Sequence, residues 1–400
     1  MTGQGAGTAI VSGGSIAGLF AATALLRAGW QVQIHERSQV ELAGRGAGIV
    51  THAALIAALM QVGAPTQDLG VEVADRIAVD RAGRIIARMP YRQVVTSWDR
   101  IHQLLRALIP DGAYRLGRAV SGYTEHGDHV VARFEDGGTA EADLLIGADG
   151  FRSAIRAQLA PRVHPDFAGY VVWRALADEA RLSAAFQDEL FGAFGFYAPN
   201  GRQVVGYPIA GAGNDLRPGH RRYNFVWYVA VSNAELGDML TDQTGRRHAM
   251  SIPPPLVRDD VLADMEVQAR DLLPPGFIEV LRHSDRPFFT PIYDHCSTVF
   301  ARGRVALAGD AACVARPHIG MGVTKAAADA LALARLVPGK PVEAALEMYA
   351  ADREPAARRA YLAARRLGAY VFDSDPDANP DGRSNPNLGA IMADTAVPVT

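Results

Sequence analysis

The segment Thr8 to Glu36 constrains this chain more than any other. Thr8-Ala-Ile-Val-Ser12 reads as a short buried strand. Gly13-Gly-Ser-Ile-Ala-Gly18 follows it, then an apolar helix pattern from about Ile16 to Ala28, stopped by Gly29. Trp30-Gln-Val-Gln-Ile-His-Glu36 alternates as a second strand, which completes a βαβ unit. The turn fits G-x-G-x-x-G imperfectly: Gly13 and Gly18 match the outer glycines, and Ser15 stands at the middle one with Gly14 beside it. Glu36 lies about 20 residues on, where an acid binds ribose hydroxyls. A dinucleotide needs close backbone approach and the free N–H groups of a helix start, and this segment offers both. A tight strand–helix turn in some other α/β protein is the alternative; the placed acid argues against it.

Composition narrows the rest. A chain of 400 residues suggests two or three domains. With 49% hydrophobic and 21% charged residues, a disordered or fibrous protein is excluded. The formal charge of −3 gives no basic excess, so neither nucleic acid nor an anionic membrane is an expected partner. All but two of the 40 basic residues are arginine; the exceptions are Lys325 and Lys340. Cys296 and Cys313 make no disulfide framework, and the eleven histidines show no ligand cluster, so no metal is expected. No apolar run reaches the ~18 residues of a membrane span. The N-terminus has no signal-peptide pattern, and a cytoplasmic protein is the expectation.

Residues 70 to 99 read as β-rich, and a helix is expected from about Asp99 to Leu108. Leu144-Leu-Ile-Gly147 and Arg304-Val-Ala-Leu-Ala308 are further buried strands. Between Tyr170 and Val231, aromatic and β-branched runs predict a separate antiparallel sheet. Helices are expected over Gly322 to Leu336 and Val342 to Arg366. The Asp-, Asn- and Pro-rich stretch from Asp373 to Thr400 reads as a loose or surface-wrapping tail.

Two more strand ends carry an acid beside glycine: Gly147-Ala-Asp149-Gly150, followed by Arg152 and Arg156, and Gly309-Asp310-Ala-Ala312, continuing to Pro317-His-Ile-Gly-Met-Gly322. In this order the three motifs resemble the FAD-dependent aromatic hydroxylases related to p-hydroxybenzoate hydroxylase, from about Ile10 to Leu336. The resemblance implies an α/β fold: a Rossmann-like FAD-binding domain, a mixed or antiparallel β-sheet substrate domain and C-terminal helices. The domains expected are residues 1–72, 100–168 and 290–340 for FAD, and 73–99 with 169–289 for substrate. A helical segment over 341–372 and the tail 373–400 complete the chain. It implies that Gly13, Ser15, Gly18, Glu36 and Arg37 hold the ADP part of FAD. Asp149 would lie near the pyrophosphate, Asp310 at the ribityl chain, and Pro317, Gly320 and Gly322 along the flavin ring. Arg45 and Arg100 are candidates for FAD phosphate or ring contacts, with Arg106 competing with Arg100. Two positions depart from the family: Cys313 stands in place of a usual His, and Met321 in place of a usual Gln.

The family's chemistry implies hydroxylation of an activated ring with O2 and NADH or NADPH through a flavin C4a-hydroperoxide. Only one dinucleotide fingerprint is present, so the reduced nicotinamide is expected to dock transiently. Gly169-Tyr-Val-Val-Trp-Arg174, Tyr207-Pro-Ile, Asn224-Phe-Val-Trp227-Tyr and Ala315-Arg-Pro-His318 are similar to hydroxylases of hydroxylated pyridines. His318 is the first candidate for a substrate proton relay and Tyr207 the second; a packed histidine and a satisfied core tyrosine are the alternatives. His52, Trp173 and Arg174 are further substrate candidates, whereas Trp227 and Tyr228 read as core. A homodimer is a candidate assembly. Competing readings are a flavin-dependent halogenase, whose W-x-W-x-x-I-P segment is absent, and a non-catalytic FAD-binding protein.

Overall fold

The computed structural model describes residues 7–42, 48–199, 201–371 and 388–398. Its first sheet has six strands, in the spatial order Ala301–Arg302, Val305–Leu307, Leu144–Gly147, Thr8–Ser12, Gln31–His35 and Tyr114–Arg115. Thr8–Ser12 runs parallel to both neighbours, with Ile10 opposite Leu145 on one side and Gln33 on the other. Leu144–Gly147 is buried along its whole length, as a parallel strand covered on both faces must be. The helix Ile16–Arg27 is apolar nearly all round and buries nine residues, because the helix Gly322–Leu336 packs on its outer side. Chain order reverses at Thr8–Ser12, and a crevice opens there beyond the carboxyl ends of the strands.

The second sheet has nine strands, in the order Cys313–Val314, Phe288–Cys296, Asp166–Asp178, Arg222–Ala230, Gln203–Ile209, Phe194–Tyr197, Val71–Val79, Ile85–Ser97 and Gly48–Val50. It takes strands from both sides of the domain boundaries expected at 72, 168 and 289. Its side chains divide with period two. Trp173, Phe225 and Trp227 pack on one face against the helices Asp259–Leu272 and Pro275–His283. Tyr170, Val172, Tyr207, Val226 and Tyr228 pack on the other. Gln203–Ile209 is therefore buried throughout despite alternating direction. A three-stranded sheet, Val120–Glu125, Val130–Phe134 and Thr139–Ala142, flanks the first sheet.

The chain end departs from expectation. Residues 372–387 lie outside the described residues, but 388–398 do not form a loose tail. Leu388–Asp394 is helical, and Ile391, Met392 and Ala396 are buried on the second face of the large sheet. Fully buried Arg76 donates from Nη1 to the carbonyls of Met392 and Thr395 and from Nη2 to Gln93 Oε1. A buried guanidinium needs such acceptors, and the chain end supplies two. Among the described residues, no helix is long and apolar enough to cross a membrane.

Candidate active site

The crevice at the end of Thr8–Ser12 is a cleft of about 430 Å³. Gly13 sits at φ +105°, and a Cβ there would stand 2.4 Å from the carbonyl oxygen of Ala148. A Cβ at Gly18 would approach the Gly13 oxygen to 1.9 Å, so the helix can lie this close to the turn only with glycine. Ser15 is the N-cap, yet its hydroxyl does not cap the helix, and it lines the cleft with Ile16 and Ala17.

Glu36 is buried at the floor. Its Oε2 accepts from Gly14 N at 2.8 Å and its Oε1 from Ser38 N at 2.8 Å. Each carboxylate oxygen keeps a second lone pair for a ribose hydroxyl. Arg37 and Arg152 also line the cleft. Burial, and then the charge of Arg37, pull the Arg152 guanidinium below its ordinary pKa. Two converging cations call for an anion between them.

Asp149 Oδ2 accepts from Ala154 N at 2.8 Å and starts the helix Ala154–Leu159, while its Oδ1 is buried without a partner among the described residues. Burial raises the Asp149 carboxyl. Asp310 sits deep in the molecule but is open to the cleft, and burial raises its pKa as well. Gly322, Val323 and Ala326 bring the start of the helix Gly322–Leu336 to the same cleft. Glycine turn, arginine pair, orphaned carboxylate oxygen and helix start fit a flavin dinucleotide. Gly13, Ser15, Gly18, Glu36, Arg37, Asp149, Asp310 and Gly322 are the residues that would hold it.

One expected contact is placed elsewhere. Arg100 does not line the cleft; its Nη2 reaches Gln67 O at 3.5 Å, and Trp98, two residues earlier, lines the cleft instead. Arg45 lies outside the described residues. The sequence reading also missed two features. His35 lines the cleft, is buried, and has neither ring nitrogen bonded among the described residues. Burial first, then Arg118 and Arg115, push its pKa down to about 4. Its position beside Glu36 at a strand end was the available signal. The second is a clamp under the Gly309–Ala311 turn: Lys325 Nζ donates to Gly309 O at 2.8 Å and Asp329 Oδ2 accepts from Gly309 N at 3.0 Å. Arg353 Nε donates to Asp329 Oδ1 at 2.8 Å. Burial pushes the Lys325 ammonium down, but Asp329, Cys313, Asp310 and Cys296 together more than reverse this. The signal was one of only two lysines, spaced four residues from an acid in an apolar helix.

The second candidate region lies on the sheet face that carries Tyr170. Pro317 starts the one-turn helix Pro317–Ile319, which seats His318 against this face. His318 Nδ1 lies 3.0 Å from Gln203 Oε1 and Nε2 lies 2.8 Å from Tyr170 Oη. The amide oxygen can only accept, so Nδ1 carries the proton and Nε2 accepts from the tyrosine. Tyr228, buried in the core of this face as expected, also stacks on the ring at 4.5 Å. Burial, then Arg316, push the His318 pKa down to about 3.

Tyr207 lies opposite Asn224 in the register and stacks on Phe194 at 4.8 Å. Burial pushes its hydroxyl up to about 12. Asn224 Oδ1 accepts from Gly48 N at 3.2 Å, while its Nδ2 is buried with no acceptor among the described residues. Arg174 acts electrostatically on both Tyr207 and Tyr228, so it shares their face. Trp173 does not: period-two alternation turns it to the helix-covered face, edge-on to Phe289, and its expected place in a substrate wall is corrected. His52 Nδ1 pairs with Thr324 Oγ1 at 2.9 Å and Nε2 with Ala396 O at 3.3 Å, tying the Gly322 helix to the chain end. Gly320, at φ +62°, lies against Ala396.

A dinucleotide cleft beside an aromatic sheet, joined by the Pro317–Gly322 loop, defines an FAD-binding oxygenase scaffold. Family models described as FAD binding domain-like and FAD binding domain match residues 167–294 and 289–364. The 2,6-dihydroxypyridine 3-monooxygenase of Paenarthrobacter nicotinovorans is 32% identical over 82% of this chain and 81% of its own. The chain thus belongs to the FAD-dependent aromatic monooxygenases. The solved structure of 2,6-dihydroxypyridine-3-hydroxylase from Arthrobacter nicotinovorans matches with a TM-score of 0.87 at 28% identity, over 96% of both chains. HpxO of Klebsiella pneumoniae, solved with FAD and uric acid, shares the fold with a TM-score of 0.77 at 22% identity, over 97% of this chain and 93% of its own.

Proposed function

We propose that this monooxygenase hydroxylates a hydroxylated pyridine, or a phenol of similar size, using O2 and electrons from NADH or NADPH. The observation that carries the reading is the polar set on the Tyr170 face of the large sheet. Asn224 Nδ2 is a buried donor without an acceptor among the described residues, Tyr207 stands opposite it, and Arg174 shares their face. A ring that bears oxygens supplies an acceptor for that amide. The likeness to an enzyme named for 2,6-dihydroxypyridine supports the same class.

FAD, when bound, supplies O2 reduction and oxygen transfer to the ring. The residues of this chain bind, orient and exclude water. Tyr207 stays protonated at neutral pH because burial raises its pKa, so it donates to a ring oxygen and does not act as a base. His318 stays neutral and holds Tyr170 and Gln203 in place, a positioning role with no proton uptake of its own. Phe194, Tyr207 and Tyr228 make the wall apolar, which keeps water from the reacting atoms. A nicotinamide without its own fingerprint docks transiently.

The test is NADH and NADPH oxidation by the purified flavoprotein with a panel of hydroxypyridines and phenols, with product mass as readout. A hydroxypyridine should stimulate turnover and gain one oxygen. Asn224→Leu should raise KM for that substrate about 10-fold or more, the scale of one buried hydrogen bond, with FAD content unchanged. Absence of stimulation by either class would refute the reading.

A further inference from the structure

The two cysteines of the chain face each other. Cys296 ends the strand Phe288–Cys296, and Cys313 begins Cys313–Val314 directly after the Asp310 turn. The strands are antiparallel, with Cys296 opposite Cys313 and His295 opposite Val314. One step along, Ser297 N donates to Ala312 O at 2.9 Å. Opposed residues alternate between hydrogen-bonded and non-hydrogen-bonded pairs, which puts the cysteines at a non-hydrogen-bonded pair. Such pairs bring Cα atoms to ~4.5 Å with both side chains on one face, at the short end of what a disulfide spans. Closing the bond therefore needs side-chain rotation and no strand rearrangement. A disulfide at that short limit is readily reduced.

We propose that Cys296 and Cys313 form a peroxide-oxidised dithiol, with Cys296 the attacking thiol and Cys313 the resolving one. The roles follow from the surroundings. Cys296 is half-buried and reachable, whereas Cys313 is fully buried. The Cys313 thiol beside it, and then the charges of Lys325 and Arg358, favour the Cys296 thiolate against its burial, while the Cys313 Sγ–H donates to Ala357 O at 3.7 Å. The same contact, together with burial, pushes the Cys313 thiol up. The thiolate is the reactive form.

The oxidant is hydrogen peroxide, which a flavin oxygenase releases whenever O2 reduction is not coupled to substrate. The Cys296 sulfur attacks one peroxide oxygen; the O–O bond breaks, leaving a sulfenic acid and hydroxide, which takes the thiol proton as water. The Cys313 sulfur then attacks the Cys296 sulfur; the S–O bond breaks and a second water leaves with the Cys313 proton. Two thiols and one peroxide become a disulfide and two waters. The linked strand carries Asp310 upstream and His318 downstream, so the bond tethers the segment that joins the two halves of the active site. The inference does not depend on which ring is hydroxylated, since peroxide is added directly.

The purified holoprotein treated with hydrogen peroxide should lose about 2 Da, lose both titratable thiols and give a cross-linked Cys296–Cys313 peptide pair, all reversed by dithiothreitol. Cys313→Ser should stop at a dimedone-reactive sulfenic acid on Cys296, about 16 Da heavier before trapping. Cys296→Ser should leave Cys313 reduced at the same peroxide concentration. Cys296 over-oxidised without a cross-link in the wild type, a disulfide-linked dimer on a non-reducing gel, or two unchanged thiols would each overturn the proposal. The wild-type mass measurement decides the matter even where a variant fails to fold.

Discussion

His318 shows how one side chain changes meaning with its partners. Its place in the Pro317–Gly322 motif suggested a proton relay. In the fold both ring nitrogens are spent on Gln203 and Tyr170, and burial keeps the ring neutral with a pKa down to about 3. A group in that state positions its neighbours. His318→Ala leaves the Tyr170 hydroxyl without its acceptor and Gln203 without its donor. FAD content should be kept and NAD(P)H oxidation should persist, but the share of turnovers that yield hydroxylated product should fall by about 10-fold or more, with hydrogen peroxide making up the difference. Stopped-flow flavin traces with peroxide assay give that ratio. In the wild type, the ratio should show no limb near pH 6.5, the ordinary histidine value, if His318 only positions. A limb there that disappears in His318→Ala would restore the relay. Among the residues, the glycines at Gly13 and Gly18 and the acid at Glu36 beside the cleft were legible, because close backbone approach demands glycine at fixed spacing. Asn224 was not, since an orphaned amide is defined only by what surrounds it.

At the scale of elements, the helix Gly322–Leu336 does two jobs. Its start lines the dinucleotide cleft, and one turn in, Lys325 and Asp329 grip both polar groups of Gly309. The turn that presents Asp310 is thus set by the helix that closes the cleft. Asp329 is fully buried and paired with Lys325 and Arg353, so Asp329→Leu strands one buried and one half-buried cation. That change should cost about 3–5 kcal/mol in urea unfolding and release FAD more readily, as expected when one partner of a buried pair is removed. The double variant Lys325→Met with Asp329→Leu should recover part of that loss. An Asp329→Leu protein as stable as wild type would mean that the turn holds itself. The helix bounds themselves were legible, with Gly322–Leu336 predicted and found. The grip was not, because an apolar 3.6-residue period does not reveal what its two charges face.

For the whole molecule, two histidines buried in the native state in neutral form set a pH limit. His318 and His295 both have pKa values lowered to about 3, chiefly by burial, with Arg316 acting on the first and Arg156 on the second. In the unfolded chain each takes up a proton near pH 6.5. Below that pH the unfolded state binds protons that the native state refuses, so stability falls as pH falls and is recovered above about 6.5. These two alone contribute up to about 2.7 kcal/mol per pH unit between pH 6 and 4, and His35, lowered to about 4, steepens the slope further. Urea unfolding of the holoprotein at several pH values measures it. A flat profile would show that these histidines charge freely in the native state. The sequence by itself determined the βαβ start, the FAD cofactor and the family, because parallel strands and glycine turns with a placed acid leave local, fixed-spacing signatures. It marked the aromatic strands as a sheet but misassigned Trp173, since period-two alternation gives two faces and only packing decides which meets the flavin loop. It read the chain end as a loose or surface-wrapping tail, whereas Arg76 draws Met392 and Thr395 into the core. Contacts between residues more than 300 positions apart are decided by tertiary structure alone, because the acceptors that a buried guanidinium finds are a property of the folded neighbourhood and of no local pattern.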